Sequence, residues 1–391
     1  MTEPNPNASV PVKMAASGIV SALGTGKADN LQGLLDGTGK RPDRLSLPHF
    51  EEPVEVPYYG VRGAPEQSEE RLHWLLDQAM DELLAEHPLT EAQRAEIPVF
   101  IGSSCWGIAI AEDLYRQQYR ENPETAIPLP LDGFSQISRH LQHRWGFHGA
   151  DFALNTACTA TANAILSARA ALAMGQADHA LVVGLEARND TSLAGFYGMQ
   201  LCADGMMRPF DRQRDGLVLG EGCGALLLSR CSASEPGTLV WGGASNCDTF
   251  SISASNPDGS TIATVMNEAM AACGLRPSDI RAIKAHGTAT PLNDDGEAAG
   301  MKRAFAALPP FFSMKAALGH TLGSCGVLET LLMAEALRVG RLPASAGFSE
   351  QDPELGVSPL RESLETGAGH YLLNFFGFGG NNASLILRHQ P

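Results

Sequence analysis

The chain has 391 residues, 44% of them hydrophobic and 18% charged, with a formal net charge of −16. That length exceeds one small core and suits two domains or one large α/β duplex. The acidic balance argues against nucleic acid or an anionic membrane surface as a partner, because both need a basic face.

Met1 to Lys13 lack the basic-then-apolar layout of a signal peptide, so none is expected. Arg41 to Pro65 is rich in proline and reads as loop. Ser68 to Glu86 places Leu72, Leu75, Leu76, Ala79 and Leu83 on one face, which predicts an amphipathic surface helix with Ser68 as N-cap. Pro98 to Gly102 reads as a short strand, and Asn122 to Phe134 as a second proline-rich loop. No apolar stretch approaches the roughly 20 residues of a membrane span.

From Phe152 the texture changes. Phe152-Ala153-Leu154 is strand-like and leads to Asn155-Thr156-Ala157-Cys158. Thr159 to Met174 then carries a single charge, Arg169, and predicts a helix buried on nearly every side. Ala180 to Gly184 is an apolar run without alternation, as in a parallel strand covered on both faces. Small and polar residues at Ser232–Pro236 suggest a boundary, giving halves at 1–235 and 236–391. Ile280 to Ala285 predicts a strand. Pro310-Phe311-Phe312-Ser313 leads to Lys315–His320 and a second apolar helix, about Ser324 to Val339. This unit resembles the one around Cys158 weakly, which suggests two similar halves. Tyr371 to Phe376, the glycines 377, 379 and 380, and Ser384 to Arg388 read as strand, sharp turn and strand.

The eight cysteines include no C-x-x-C pair and no Cys/His metal spacing, so a reduced, cytoplasmic protein without a metal is expected. Most cysteines at such positions are small buried hydrophobes. Cys158 differs because it sits where a strand meets a buried helix, a place where free backbone N–H groups and the helix dipole favour a thiolate. His286 follows a strand in a Gly-rich turn, and Lys315 and His320 flank Leu318-Gly319 at the head of the second apolar helix. Catalytic groups gather at such strand ends. Glu329 interrupts that helix and needs a buried partner, either Lys315 or backbone N–H groups.

Taken together, Thr156-Ala-Cys158-Thr-Ala, His286-Gly-Thr-Ala-Thr-Pro-Leu-Asn-Asp294, Lys315-Ala-Ala-Leu-Gly-His320 and Asn374-Phe-Phe-Gly-Phe378-Gly-Gly resemble the elongating β-ketoacyl-acyl-carrier-protein synthases. Pro209-Phe-Asp-Arg-Gln-Arg-Asp215-Gly and Gly220-Glu-Gly extend the likeness, which runs from about Ile97 to the C-terminus. The resemblance implies a thiolase-like α/β fold of two similar halves in five αβαβα layers. It implies decarboxylative Claisen condensation of an acyl group on Cys158 with malonyl-carrier, in fatty-acid, polyene or polyketide synthesis. His286 and His320 would hold the malonyl thioester carbonyl, Lys315 would orient them, and the N–H groups of Cys158 and Phe378 would form the oxyanion hole, with Phe378 also a gate. Thr288 and Thr290 would face the phosphopantetheine arm, which arrives on acyl carrier protein, so no bound cofactor is expected. Arg208, Arg212 and Arg214 are candidates for carrier docking; pairing with Asp211 and Asp215 is their alternative. A homodimer, or a heterodimer with a synthase-like subunit, is implied.

The chain departs from the pattern in places. Gly184-Leu-Glu186 replaces a Gly-Gly-Ala-Glu-like sequence, Asn381 replaces a common Thr, and the start lacks its basic opening. Ile19-Val-Ser-Ala-Leu-Gly24 resembles synthases of aryl-polyene-type gene clusters. Cys105 and Trp106, in a loop that serves the acyl pocket and dimer interface in such enzymes, could shorten the pocket; filling the interface is the alternative for Trp106. Other thiolase-superfamily acyltransferases fit less well: initiating synthases carry Asn where His320 stands, and Cys325 is outside the thiolase motif. A non-catalytic chain-length-factor-like subunit would typically lack Cys158.

Overall fold

A computed structural model of the protein describes residues 10–37, 41–47, 52–124 and 133–391. Its backbone is one mixed sheet folded around two central helices. The first half supplies β1 (Val12–Ser21), β2 (Val99–Gly102), β3 (Asp151–Leu154), β4 (His179–Glu186) and β5 (Gly222–Arg230). The second supplies β6 (Gly237–Cys247), β7 (Ile280–Lys284), β8 (Phe311–Phe312), β9 (Gly369–Phe376) and β10 (Asn381–Gln390). The spatial order is β3-β2-β4-β5-β1-β6-β10-β9-β7-β8.

The halves meet at β1 and β6, where Lys13 pairs with Leu239. Outward from that seam each half repeats one pattern. β5 and β10 lie antiparallel to β1 and β6. β4 and β9 are antiparallel to those. The outer pairs β2–β3 and β7–β8 run parallel to β4 and β9. This repeat is the physical source of the weak internal similarity in the sequence.

Helices complete the layers. α1 (Ser68–Glu86) packs on β1 and β5 outside the first half. α2 (Ile108–Glu121) follows β2. α3 (Ala160–Ala173) and, later, α7 (Cys325–Arg338) pack on each other and on strands of both halves. α4 (Asp190–Gly198) lies near the site. α5 (Ser260–Ala272) and α6 (Pro291–Ala304) cover the second half. Helix, sheet, paired helices, sheet and helix make five layers, as the thiolase-like fold requires. The alanine-rich, almost uncharged α3 can sit in the middle layer because no side of it needs water.

Three local expectations change. Arg41–Pro65 is not all loop: Asp43–Leu47 and Val54–Tyr59 pair antiparallel, and the latter pairs with Leu219–Gly220. Burial of Val56, Tyr58 and Tyr59 outweighs the proline signals there. The N-cap of α1 is Gln67, whose side chain accepts from the Glu70 amide at 2.6 Å, and Ser68 is the first helical residue. β4 is parallel only to β2, since β5 runs against it. Of the loop expected at Asn122–Phe134, residues 125–132 lie outside the described residues.

Candidate active site

The two central helices start beside each other, and the chemistry sits at their heads. Between β3 and α3 the chain turns through Ala157, held at φ 52°, which sets Cys158 just before the helix. The Thr159 hydroxyl donates to the Thr156 carbonyl at 2.7 Å, and Asn163 Nδ2 donates to Thr156 Oγ1 at 2.9 Å, bracing the turn. The glycine turn after β9 passes so close that a Cβ on Gly377 would lie 3.1 Å from the Cys158 nitrogen. There the Phe378 backbone N–H is near enough to the Cys158 sulfur to pull the thiol pKa down. The Phe378 ring stacks on Phe196, centroids 5.5 Å apart.

His286 lies just beyond β7. Its backbone N–H and that of Gly287 each donate to one oxygen of Glu297 at 2.8 Å. Asp294, also on α6, accepts from the amides of Thr288, Ala289 and Phe210 at 3.0, 3.1 and 2.7 Å. Two buried carboxylates thus hold the turn that carries His286. The Thr288 and Thr290 hydroxyls are 2.9 Å apart, and both residues are buried.

His320 follows the one-turn helix Lys315–Leu318. Its Nδ1 accepts the Leu322 amide at 3.0 Å, so the ring proton sits on Nε2, which is left as a donor. The two imidazoles meet edge to face, centroids 5.4 Å apart. Burial, then the Lys315 charge, holds both well below the usual 6.5, so they are neutral donors.

Behind them Lys315 Nζ bonds Glu329 Oε1 at 2.5 Å, which answers the question of the partner of Glu329. A second ammonium, Lys284 Nζ, bonds Glu329 Oε2. All three side chains are fully buried. Lys284, Glu297 and the role of Asp294 were missed from the sequence. The available signal for Lys284 was a charge set between apolar Ile283 and Ala285 at the end of the strand, three residues after the exposed Arg281.

The expected thiolate is not what this turn favours at rest. Burial pushes the Cys158 thiol up to about 11, against the Lys315 charge and the Phe378 N–H, which pull it down. Cys158, His286, His320, Thr288, Phe376 and Phe378 line one cavity of about 20 Å³. Cys105 and Trp106 are not among its lining residues. Trp106, at φ 49°, is 5% exposed, packed with Ile101, Ile137 and Leu185 and edge-on to Phe134. Cys105 Sγ lies 3.1 Å from Ser192 Oγ. The arginine trio divides as well. Arg214 is half-buried and engaged by Asp352 and Asp295 at 2.6 and 2.7 Å, which leaves it less free to meet a carrier than the other two. Arg212 pairs with Glu350 at 2.8 Å and Arg208 with Gln213 at 2.7 Å, at the surface. Asp211 and Asp215 take none of the three ion pairs.

A nucleophile, two neutral N–H donors and a turn of backbone donors in one small buried pocket suit acyl transfer through a covalent thioester. Comparison with known proteins agrees. The β-ketoacyl synthase N-terminal domain family matches residues 62–234, and the β-ketoacyl synthase C-terminal domain family matches residues 238–349. The mitochondrial 3-oxoacyl-[acyl-carrier-protein] synthase of Arabidopsis thaliana is 30% identical over 96% of this chain and 92% of its own. The chloroplastic 3-oxoacyl-[acyl-carrier-protein] synthase II of the same plant is 30% identical over 78% of this chain, which spans only 59% of that relative. Among solved structures, a complex of the ketosynthase ApeO with its chain length factor ApeC from Xenorhabdus doucetiae contains a chain with TM-score 0.84 and 27% identity, covering 99% of this chain and 100% of that one. A type II polyketide ketosynthase complex with its acyl-carrier protein, AntDE:AntF, has a similar fold, with TM-score 0.88 at 19% identity over 98% of this chain and 100% of that one.

Proposed function

This chain belongs to the β-ketoacyl synthase family and is a condensing acyltransferase, and on that premise we propose the division of labour among its residues. Cys158 takes an acyl group from the phosphopantetheine thiol of acyl carrier protein, and the carrier leaves as its free thiol. A malonyl-carrier then enters past Thr288 and Thr290. As its carboxylate departs as CO₂, the electron pair moves to the thioester enolate, whose oxygen is held by Nε2–H of His320 and by His286. Two such bonds strengthen as charge develops, which is where they lower the barrier. The carbanion attacks the acyl-Cys158 carbonyl, and the N–H groups of Cys158 and Phe378 hold the tetrahedral oxyanion. Collapse expels the Cys158 sulfur and leaves a β-ketoacyl carrier two carbons longer.

The observation that carries this reading is the His320 tautomer. With Nδ1 occupied by the Leu322 amide, the imidazole cannot act as a base at that nitrogen and presents a donor instead. An enolate needs that donor; a hydrolytic triad would need an acceptor. Phe378, stacked on Phe196, would gate the pocket, since no acyl chain fits the present cavity.

The partner is a second synthase-like chain, identical or homologous, docked on the edge of the first half. β3 is the outermost strand there and leaves Phe152 47% exposed. No metal or resident cofactor enters the scheme, and the cytoplasm is the proposed compartment. No helix among the described residues is long and apolar enough to cross a membrane.

The deciding experiment is intact-mass measurement after incubation with acyl-carrier thioesters of graded length and unsaturation. Acyl adducts on the wild type that vanish in Cys158→Ala are expected, and the pattern of donors accepted defines the substrate range. Absence of any adduct would instead indicate a non-catalytic, chain-length-factor-like subunit.

A further inference from the structure

Lys284 has no place in the scheme above, yet a fully buried lysine is costly and needs a reason. Its ammonium is completely coordinated. Nζ donates to Glu329 Oε2 and to the Asn374 carbonyl at 2.7 Å, and it sits 3.7 Å from the centroid of the Phe375 ring. Carboxylate oxygen, carbonyl oxygen and ring face are three acceptors for three N–H bonds, and none of them could donate to the lone pair of a neutral amine. Burial pulls its pKa below the usual 10.5 while Glu329 opposes that; the acceptor-only surroundings fit the charged form.

Glu329 therefore serves two ammonium groups, one on each oxygen. A Lys–Glu pair alone would be neutral. With Lys284 added, the buried group carries one net positive charge, and the member nearest the chemistry is Lys315, whose charge reaches both imidazoles and the Cys158 sulfur. Resting on the condensing reading of the site, we propose that Lys284 is a positioning residue for the reaction. By neutralising Glu329 from behind, it leaves the Lys315 charge uncompensated toward Cys158 and the anionic malonyl unit.

The groups that face Cys158 define what else bears on its reactivity. Lys315 pulls the thiol down and the carboxylate of Glu186 pushes it up. His286 and His320 share its cavity, and the Cys325 thiol donates to its carbonyl. The Lys284–Glu329–Lys315 group can be varied in net charge at Lys284 and Glu329 without touching a residue that lines that cavity.

The test is the rate of Cys158 alkylation by iodoacetamide at pH 8, read on the Cys158 peptide by mass spectrometry, with thermal unfolding run in parallel. At that pH the rate follows the thiolate fraction. Lys284→Met should slow alkylation roughly tenfold, the effect of a one-unit rise in thiol pKa. Lys284→Arg, which keeps the charge, should stay within about threefold of wild type. The double variant Lys284→Met/Glu329→Gln restores one net positive charge on Lys315 and should recover the wild-type rate. A purely structural lysine predicts the opposite ordering, with the double variant at least as slow as the single. An unchanged rate in folded Lys284→Met overturns the proposal. If Lys284→Met does not fold, the double variant decides: a near-wild-type rate supports the proposal and a tenfold loss overturns it. Because alkylation needs neither carrier nor malonyl donor, the outcome is independent of the acyl-adduct experiment.

Discussion

Gly326, in the first turn of α7, lies so close to α3 that a Cβ built on it would come within 2.3 Å of the Ala162 nitrogen and 2.6 Å of Thr161 Oγ1. The contact is cemented by polar groups: Thr161 Oγ1 donates to the Gly323 carbonyl at 2.6 Å and accepts the Val327 amide at 3.0 Å. Helices approach this closely only where side chains are absent. The approach matters because each helix head carries half of the chemistry, Cys158 on one side and His320 on the other.

Gly326→Ala should therefore be far more damaging than an alanine in a helix normally is. The neighbours met are backbone and a bonded hydroxyl, which cannot swing away, so overpacking should cost about 1–3 kcal/mol. A lower melting temperature, and acyl-adduct formation reduced more than tenfold in the protein that remains folded, are expected. Wild-type adduct rates in this variant would show that the spacing of the two heads is not needed for acylation.

Glu297 offers a second test, since it touches no substrate. Glu297→Ala leaves the His286 and Gly287 amides buried without acceptors, and it removes the neighbour of Asn374 Nδ2 at 3.3 Å. Each orphaned amide costs about 1–3 kcal/mol. Condensation should fall with the loss of His286 placement, whereas acylation of Cys158, which precedes the need for His286, should fall less. Equal losses in both steps would mean that Glu297 supports the whole fold and not the His286 turn.

Much of this site was legible in the sequence because its members end or begin secondary structure. Cys158, His286, Lys315 and His320 each sit at a strand end or helix head, and Glu329 stood out as a lone charge in an apolar helix. Lys284 escaped because one charge at the end of a strand looks like the point where the strand reaches water. Its burial is decided by Glu329 and Asn374, 45 and 90 residues away. The strand pair at Asp43–Leu47 and Val54–Tyr59 was hidden by prolines, which report on missing N–H donors and not on what the flanking tyrosines bury. Trp106 was read through family resemblance, which does not report how a side chain packs; the structure seats it in the cluster of Ile101, Ile137 and Leu185.

Carrier docking can be tested on the two arginines left at the surface. Arg208→Glu and Arg212→Glu together should raise KM for an acyl-carrier donor about fivefold or more, with kcat little changed, because rim charges act mainly on encounter. The same acyl group on coenzyme A should show no such change. Arg214→Glu would instead set a third carboxylate beside Asp352 and Asp295 and should lower the melting temperature. Unaltered KM in the double charge reversal would place the carrier elsewhere.

The neutral imidazoles make a prediction about acid. His286 and His320 are held well below 6.5, first by burial and then by the Lys315 charge. In the unfolded chain both take up protons near the ordinary value, so below about pH 6.5 the unfolded state binds protons that the folded state refuses. The stability tied to each neutral histidine is thus fully present above pH 6.5 and is lost as the pH falls, at up to about 1.4 kcal/mol per pH unit for each ring. His286→Gln removes one such group at the ring whose Nδ1 has no partner in the folded protein. Between pH 6.5 and 5 its unfolding free energy in urea should therefore fall less steeply than that of wild type, by about 1.4 kcal/mol per unit. Condensation by the wild type should likewise show no loss centred near pH 6.5, since the donors stay neutral through it. Parallel unfolding slopes would mean that His286 is protonated inside the folded protein, and the site would then offer a charged donor to the enolate in place of a neutral one.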